Sequence, residues 1–146
     1  MHCEIHKAKK IVHKIMKEIP QHFKDACETE EYDPVDIDME YYMNVSDMDK
    51  CFIVTLNSGT EMVGYSIFTI ATDPIRRKVK EALNTCVYVK KGFRGFGTRR
   101  MLNDSLNLMK SLGADKVTYM IKNKALARML QNDGFSSGEV TWSKAL

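Results

Sequence analysis

The sequence predicts one α/β domain, spanning residues 1–146, built on a mixed sheet. Three observations carry that prediction. The 146 residues leave room for a single domain of ordinary size, which buries roughly 68–70% of its unfolded surface and needs no disulfide or metal staple. Residues 83–122 read strand, glycine-rich turn, helix, strand, a right-handed βαβ unit around a parallel pair. A hairpin pattern ahead of that unit adds antiparallel strands.

Element by element, Ile5, Ala8, Val12, Ile15, Ile19 and Phe23 recur at spacings of three and four, which predicts a helix with a lysine-rich outer face. Pro20 blurs its end. Residues 24–40 are acidic, carry the turn signal Asp33-Pro34 and read as a loop with a short helix. Cys51–Leu56 is rich in β-formers, Asn57-Ser58-Gly59-Thr60 is a turn, and Met62–Thr72 is the second arm of a hairpin. After a basic connector over 75–82, Leu83–Val89 forms the next strand. The glycine-rich turn leads into a helix from about Thr98 to Leu112, closed by Gly113. Lys116–Lys122 is a strand, Lys124–Asn132 a short helix, and Gly138–Lys144 a last strand.

Composition excludes several classes. A charged fraction of 28% with 8 Gly and 3 Pro fits neither disorder nor collagen. No apolar run approaches the ~20 residues of a membrane span, and Met1–Lys7 lacks the apolar core of a signal peptide. Cys3, Cys27, Cys51 and Cys86 form no CxxC pair, so they read as reduced thiols of a cytoplasmic protein. His2 and His6 have i, i+4 spacing, but a frayed basic terminus explains them better than a metal does, and no metal is expected. Cys86 has no histidine in sequence context and reads as a buried thiol.

The net charge of +3 hides a segregation. Asp25–Asp49 holds ten carboxylates and no Lys or Arg, whereas Lys90–Arg100 packs five cations into eleven residues. One surface suits a cation and the other an anion. The basic stretch contains Gly92-Phe93-Arg94-Gly95-Phe96-Gly97-Thr98, between a strand and a helix. Unpaired amides and the helix dipole there favour a phosphate, and glycines let it approach closely. No Lys follows Gly97 as a Walker loop requires, the GxGxxG spacing is absent, and Arg94 breaks the RNA-binding signature that Lys91-Gly92-Phe93 begins.

Val87-Tyr88-Val89 followed by Phe93–Thr98 opening a helix resembles motif A of the GCN5-related N-acetyltransferases. Asn123 with Met129–Phe135 resembles their motif B. The ending, Gly138–Leu146, is similar to that of small acetyltransferases encoded by tailed bacteriophages. The resemblance implies a mostly antiparallel sheet whose central parallel pair splays apart, and an acetyl transfer from acetyl-CoA to a primary amine. Val87, Tyr88 and Val89 would pair with the pantetheine arm, and the backbone at Tyr88 and Val89 would polarise the thioester. The turn Arg94, Gly95, Phe96, Gly97, Thr98 and Arg99 would hold the pyrophosphate. Asn123 would reach the cosubstrate from the next strand, and Lys90, Lys91 and Arg100 would lie near the ribose phosphate.

The amine acceptor stays open between protein lysine, protein N-terminus and small amines. A homodimer is compatible with the resemblance, while nucleic acid and membrane are not implied as partners. Leu130 stands where many members carry the tyrosine that protonates the leaving thiolate, and a leucine donates no proton. Tyr119 and Tyr88 are substitute acids, and Glu81, Asp38 and Glu40 are candidate bases. That departure supports a rival reading, an acyl-CoA-fold protein that acts by binding a protein partner, such as a viral protein on a host factor.

Overall fold

The computed structural model of the chain describes residues 1–26, 38–72, 75, 78–121 and 123–138. In chain order the elements are β1 (His2–Lys7), α1 (Ala8–Ala26), α2 (Met39–Asp47), β2 (Cys51–Ser58) and β3 (Glu61–Thr72). β4 (Lys80–Val89), a 3-10 turn (Lys91–Phe93), α3 (Phe96–Ser111), β5 (Lys116–Tyr119) and α4 (Lys124–Asn132) follow. The strands form one sheet in the order β1-β2-β3-β4-β5. Its first three junctions are antiparallel and the β4–β5 junction is parallel, so the sheet is mixed as expected.

Two departures mark the N-terminal half. Ile5 belongs to β1, opposite Val54, and the helix begins only at Ala8. Within β1, Cys3 and Ile5 alternate toward the core that α3 covers, and pairing with β2 overrides the helical spacing of Ile5 and Ala8. α1 then runs through Pro20, which lies on its exposed face. The second departure is α2, which occupies residues read partly as loop. Asp38 caps it, accepting a hydrogen bond from the Tyr41 amide at 2.8 Å, and Met39, Tyr42 and Met43 pack inward. Residues 27–37 and the strand expected beyond Gly138 lie outside the described residues.

Helices cover both faces of the sheet. α1 lays Ala8, Val12, Ile15 and Ile19 against Ile53, Tyr65, Ile67 and Tyr88. On the opposite face α3 presses Met101 and Met109 against Val54, Leu56, Val63 and Phe68. This double cover is why β2 and β3 are apolar almost throughout rather than alternating. Among the described residues no helix is long and apolar enough to cross a membrane.

β4 is irregular where it matters. The register slips so that Ile67 faces Cys86 while Phe68 faces Asn84, leaving Thr85 as the extra residue of a bulge. Asn84, fully buried, staples that bulge. Its amide nitrogen donates to Ser66 Oγ at 2.7 Å and lies 3.1 Å from both Ile67 O and Cys86 O. On the other side β4 pairs with β5 only from Glu81 to Asn84, against Lys116–Tyr119. Beyond Asn84 the pairing ends, and Thr85–Val89 has no strand neighbour on that side among the described residues.

Candidate active site

Where β4 runs past its pairing with β5, the backbone groups on that side have no ladder partner among the described residues, and ladder geometry identifies them. The Lys90 amide donates to Val63 O at 2.8 Å, toward β3. Antiparallel pairs alternate in direction, so the amide of Tyr88 also faces β3, while those of Val87 and Val89 face the gap. The Val89 carbonyl, on the gap side too, accepts from Arg94 Nε at 3.0 Å. Val87 and Val89 therefore offer the donors that the sequence reading sought at Tyr88 and Val89. The Tyr88 side chain turns to the α1 face and joins the core there.

The glycine turn stands at the open end of the same gap. Gly95 is the residue before α3, at φ +80° and ψ −95°, a conformation reserved for glycine. No side chain caps α3 and no acidic residue lies in its first turn. The first helical bond runs from the Arg99 amide to Gly95 O, so the amides of Phe96, Gly97 and Thr98 have no partner within the helix. These donors, with the helix dipole behind them, suit an anion. Of the surrounding cations, Lys90 is paired with Glu61 and Arg100 with Asp104. Arg94 is tied to the Val89 carbonyl, whereas Lys91 and Arg99 make no ion pair among the described residues.

The missing side chain of Gly97 serves packing, while its amide stays with the anion-facing set. A Cβ there would meet Leu56 Cδ2 at 3.1 Å and Met1 Sδ at 3.5 Å, so glycine lets α3 settle onto β2. Gly97→Ala is expected to lower stability by about 1–3 kcal/mol, the usual cost of overpacking, read as a lower urea midpoint with an unchanged slope.

The other sequence-predicted residues are dispersed. Glu81 sits at the paired end of the β4–β5 ladder, 3.9 Å from Lys116 Nζ. Six residues of strand, about 20 Å, separate it from Val87, which removes it from the gap as a base. Asn123 caps α4, its Oδ1 accepting from the amides of Ala125 and Leu126. Tyr119 lies between Phe68 and Phe135 with its phenol beside Ser105, and neither hydroxyl has a well-formed partner among the described residues. Burial raises its pKa well above the ordinary phenol range. Leu130 is buried in α4. Among the described residues of the acidic stretch, Asp38 caps α2, Asp47 and Asp49 pair with Lys9 and Lys7, and Glu40 is exposed. His2 and His6 flank Glu4 on β1, and no group of three or more His, Cys, Asp or Glu among the described residues is placed to hold a metal ion.

One cluster escaped the sequence reading. His22 is buried on the α1 face of the sheet, 7% exposed, with Nδ1 2.6 Å from the Tyr65 hydroxyl and 3.8 Å from Cys86 Sγ. Its ring stacks on Tyr88 at a centroid distance of 4.3 Å. The signal was present: His22 lies three residues after Ile19, on the same face as Val12 and Ile15, a polar group within an apolar stripe. Cys86 thus has a histidine neighbour after all, 64 residues away in sequence. Burial pushes the Cys86 thiol up to about 12, so it stays protonated and is a poor nucleophile.

With its five-stranded mixed sheet, parallel β4–β5 pair and helices covering both faces, the chain has the GCN5-related N-acetyltransferase fold. It is similar over 99% of its length to an aminoglycoside acetyltransferase from an uncultured soil metagenomic sample, with 12% identity, a TM-score of 0.75 and 95% of that chain covered. It matches a ribosomal-protein-alanine N-acetyltransferase from Brucella melitensis biovar Abortus 2308 over 100% of both chains, at 10% identity and a TM-score of 0.71. A glucosamine-6-phosphate N-acetyltransferase from Arabidopsis thaliana aligns over 99% of both chains, at 17% identity and a TM-score of 0.69. At these identities the likeness is one of fold. No family model matches the chain, and no curated protein matches it in sequence.

Proposed function

We propose that the chain is an acetyl-CoA-dependent N-acetyltransferase in which a primary amine attacks the thioester directly, with both substrates bound. The observation that supports this most is the alignment of two donor sets along one gap. The amides of Phe96, Gly97 and Thr98 suit the pyrophosphate. The amides of Val87 and Val89 lie further along the same strand–turn path, where an extended pantetheine arm would run. An amide at Val87 or Val89 that meets the thioester oxygen would stabilise the charge developing there. Holding amine and thioester together supplies much of the remaining rate.

The similar solved proteins are described as acting on an aminoglycoside, on a ribosomal-protein alanine and on glucosamine 6-phosphate. Their shared chemistry, a primary amine, is the acceptor class we assign. The three cysteines among the described residues are free thiols, which fits a reducing compartment such as the cytoplasm. The test is release of free thiol from acetyl-CoA on adding a polyamine, an aminoglycoside, a lysine peptide or a peptide with a free N-terminus. The proposal expects thiol and N-acetylated product in equal amounts from at least one of them. Folded protein that accelerates none would sink it.

A further inference from the structure

We propose that His22 is the proton acceptor of this reaction, with Tyr65 as the positioning residue that fixes its ring; the inference rests on the acetyl-transfer reading above. An attacking amine must lose a proton once it bonds to the carbonyl carbon, and two of the carboxylates considered from the sequence, Glu81 and Asp38, already have structural roles. Glu81 is at the far end of β4, Asp38 is a helix cap, and Asp47 and Asp49 are held by lysines.

Geometry singles out the α1 face instead. The turn that suits the pyrophosphate opens α3, which covers one face of the sheet. A thioester lying between β4 and β5 therefore has its donor arm toward the α3 side. The second substrate has the opposite face, which α1 and α2 cover. On that face Cys86 and Tyr88 flank Val87, and both touch His22. The imidazole thus sits behind the stretch of β4 whose amides face the gap.

The surroundings also suit a base that must stay neutral until it is used. The described titratable groups that touch it are Tyr65 of β3 and Cys86 and Tyr88 of β4; Glu18 of α1 acts on Tyr65, and Tyr42 of α2 and Cys51 of β2 lie in the adjoining core. Burial raises the pKa values of Tyr42, Cys51, Tyr65 and Cys86, so these four are neutral at pH 7. An imidazole ordinarily titrates near pH ~6.5, which matches a group that takes a proton and then gives it up. The balance closes with one proton. The amine nitrogen bonds to the carbonyl carbon and the C–S bond breaks. The proton leaving nitrogen passes to His22 and then to the departing sulfur, giving the N-acetyl amine and the free thiol. A base that returns its proton also answers the missing tyrosine at Leu130.

The test compares the wild type with His22→Asn, which keeps a hydrogen-bonding group near the Nδ1 position but does not titrate. Calorimetry with acetyl-CoA comes first. Equal affinity in both proteins is expected, whereas a wild type that binds no acetyl-CoA overturns the acetyl-transfer reading and this inference with it. Turnover is then measured against pH, with rates expressed per neutral amine so that the titration of the acceptor drops out. The wild type is expected to lose activity below a midpoint between about pH 5 and 8. His22→Asn should fall about 100-fold or more and lose that acidic limb. Tyr65→Phe, which removes only a hydroxyl, should keep the limb at a shifted midpoint with a several-fold lower kcat. A His22→Asn enzyme within about threefold of wild type that keeps the limb overturns the inference while leaving the acetyl transfer standing. So does a folded Cys86→Ala enzyme without turnover, because the chemistry would then belong to the thiol.

Discussion

Phe96→Asp is expected to abolish acetyl-CoA binding at micromolar concentrations while leaving the protein as stable as before. Phe96 is the first residue of α3 and is 71% exposed, so its ring contributes little to the core. A carboxylate at a helix N-terminus is favoured by the dipole, typically by about 0.3–1 kcal/mol. The same carboxylate would stand beside the amides assigned to the pyrophosphate. Like charges about 4 Å apart repel by about 4 kcal/mol at an effective dielectric near 20. Even partial screening leaves a loss of about 100-fold, or about 2.7 kcal/mol. Phe96→Asn separates charge from shape and should bind within a few-fold of wild type. Titration calorimetry together with thermal melts reads both halves of the expectation.

The second large effect concerns stability. Asn84 donates from its amide nitrogen to Ser66 Oγ, Ile67 O and Cys86 O without any exposure to solvent. Asn84→Asp puts a carboxylate where acceptors converge, and an uncompensated buried charge costs about 3–5 kcal/mol. Total stability in domains of this kind is about 5–15 kcal/mol, so a large share would go. The pH dependence has a definite sign. Burial raises the folded-state pKa of the new carboxyl above its unfolded value, so the folded state binds the proton more tightly. The deficit should therefore shrink as pH falls from 7 toward 4 and be largest at neutral pH. Urea midpoints across that range check it. A midpoint at pH 7 equal to wild type would mean that Asn84 does not hold the bulge together.

Local signals account for what was legible in the chain. The limits of α4 are legible because its boundaries are written in neighbouring residues: Asn123 caps its start and Asp133-Gly134 ends it. The β2–β3 hairpin was equally plain, with two β-rich runs around Gly59. The glycine turn was found because strand, turn and helix are contiguous. What stayed hidden depends on partners distant in sequence. His2–Lys7 is a strand because Phe52–Asn57 lies beside it, while its own spacing continues that of α1. α2 is amphipathic only once Met39, Tyr42 and Met43 have α1 to pack against, and its acidic residues masked that stripe. His22 and Cys86 meet only when α1 folds across β4. Chemistry assembled in that way leaves no motif, and an apolar stripe interrupted by one histidine is its faintest trace.

The most direct test of the site is an amide-resolved NMR titration of the wild-type protein with acetyl-CoA. The largest shifts are expected at Val87, Val89, Phe96, Gly97 and Thr98, the amides that face the gap and the turn, with Glu81 and the α1 start at Ala8 little affected. Saturable shifts confined to other parts of the sheet, or none at millimolar acetyl-CoA, would contradict the assignment of this gap as the acetyl-CoA site.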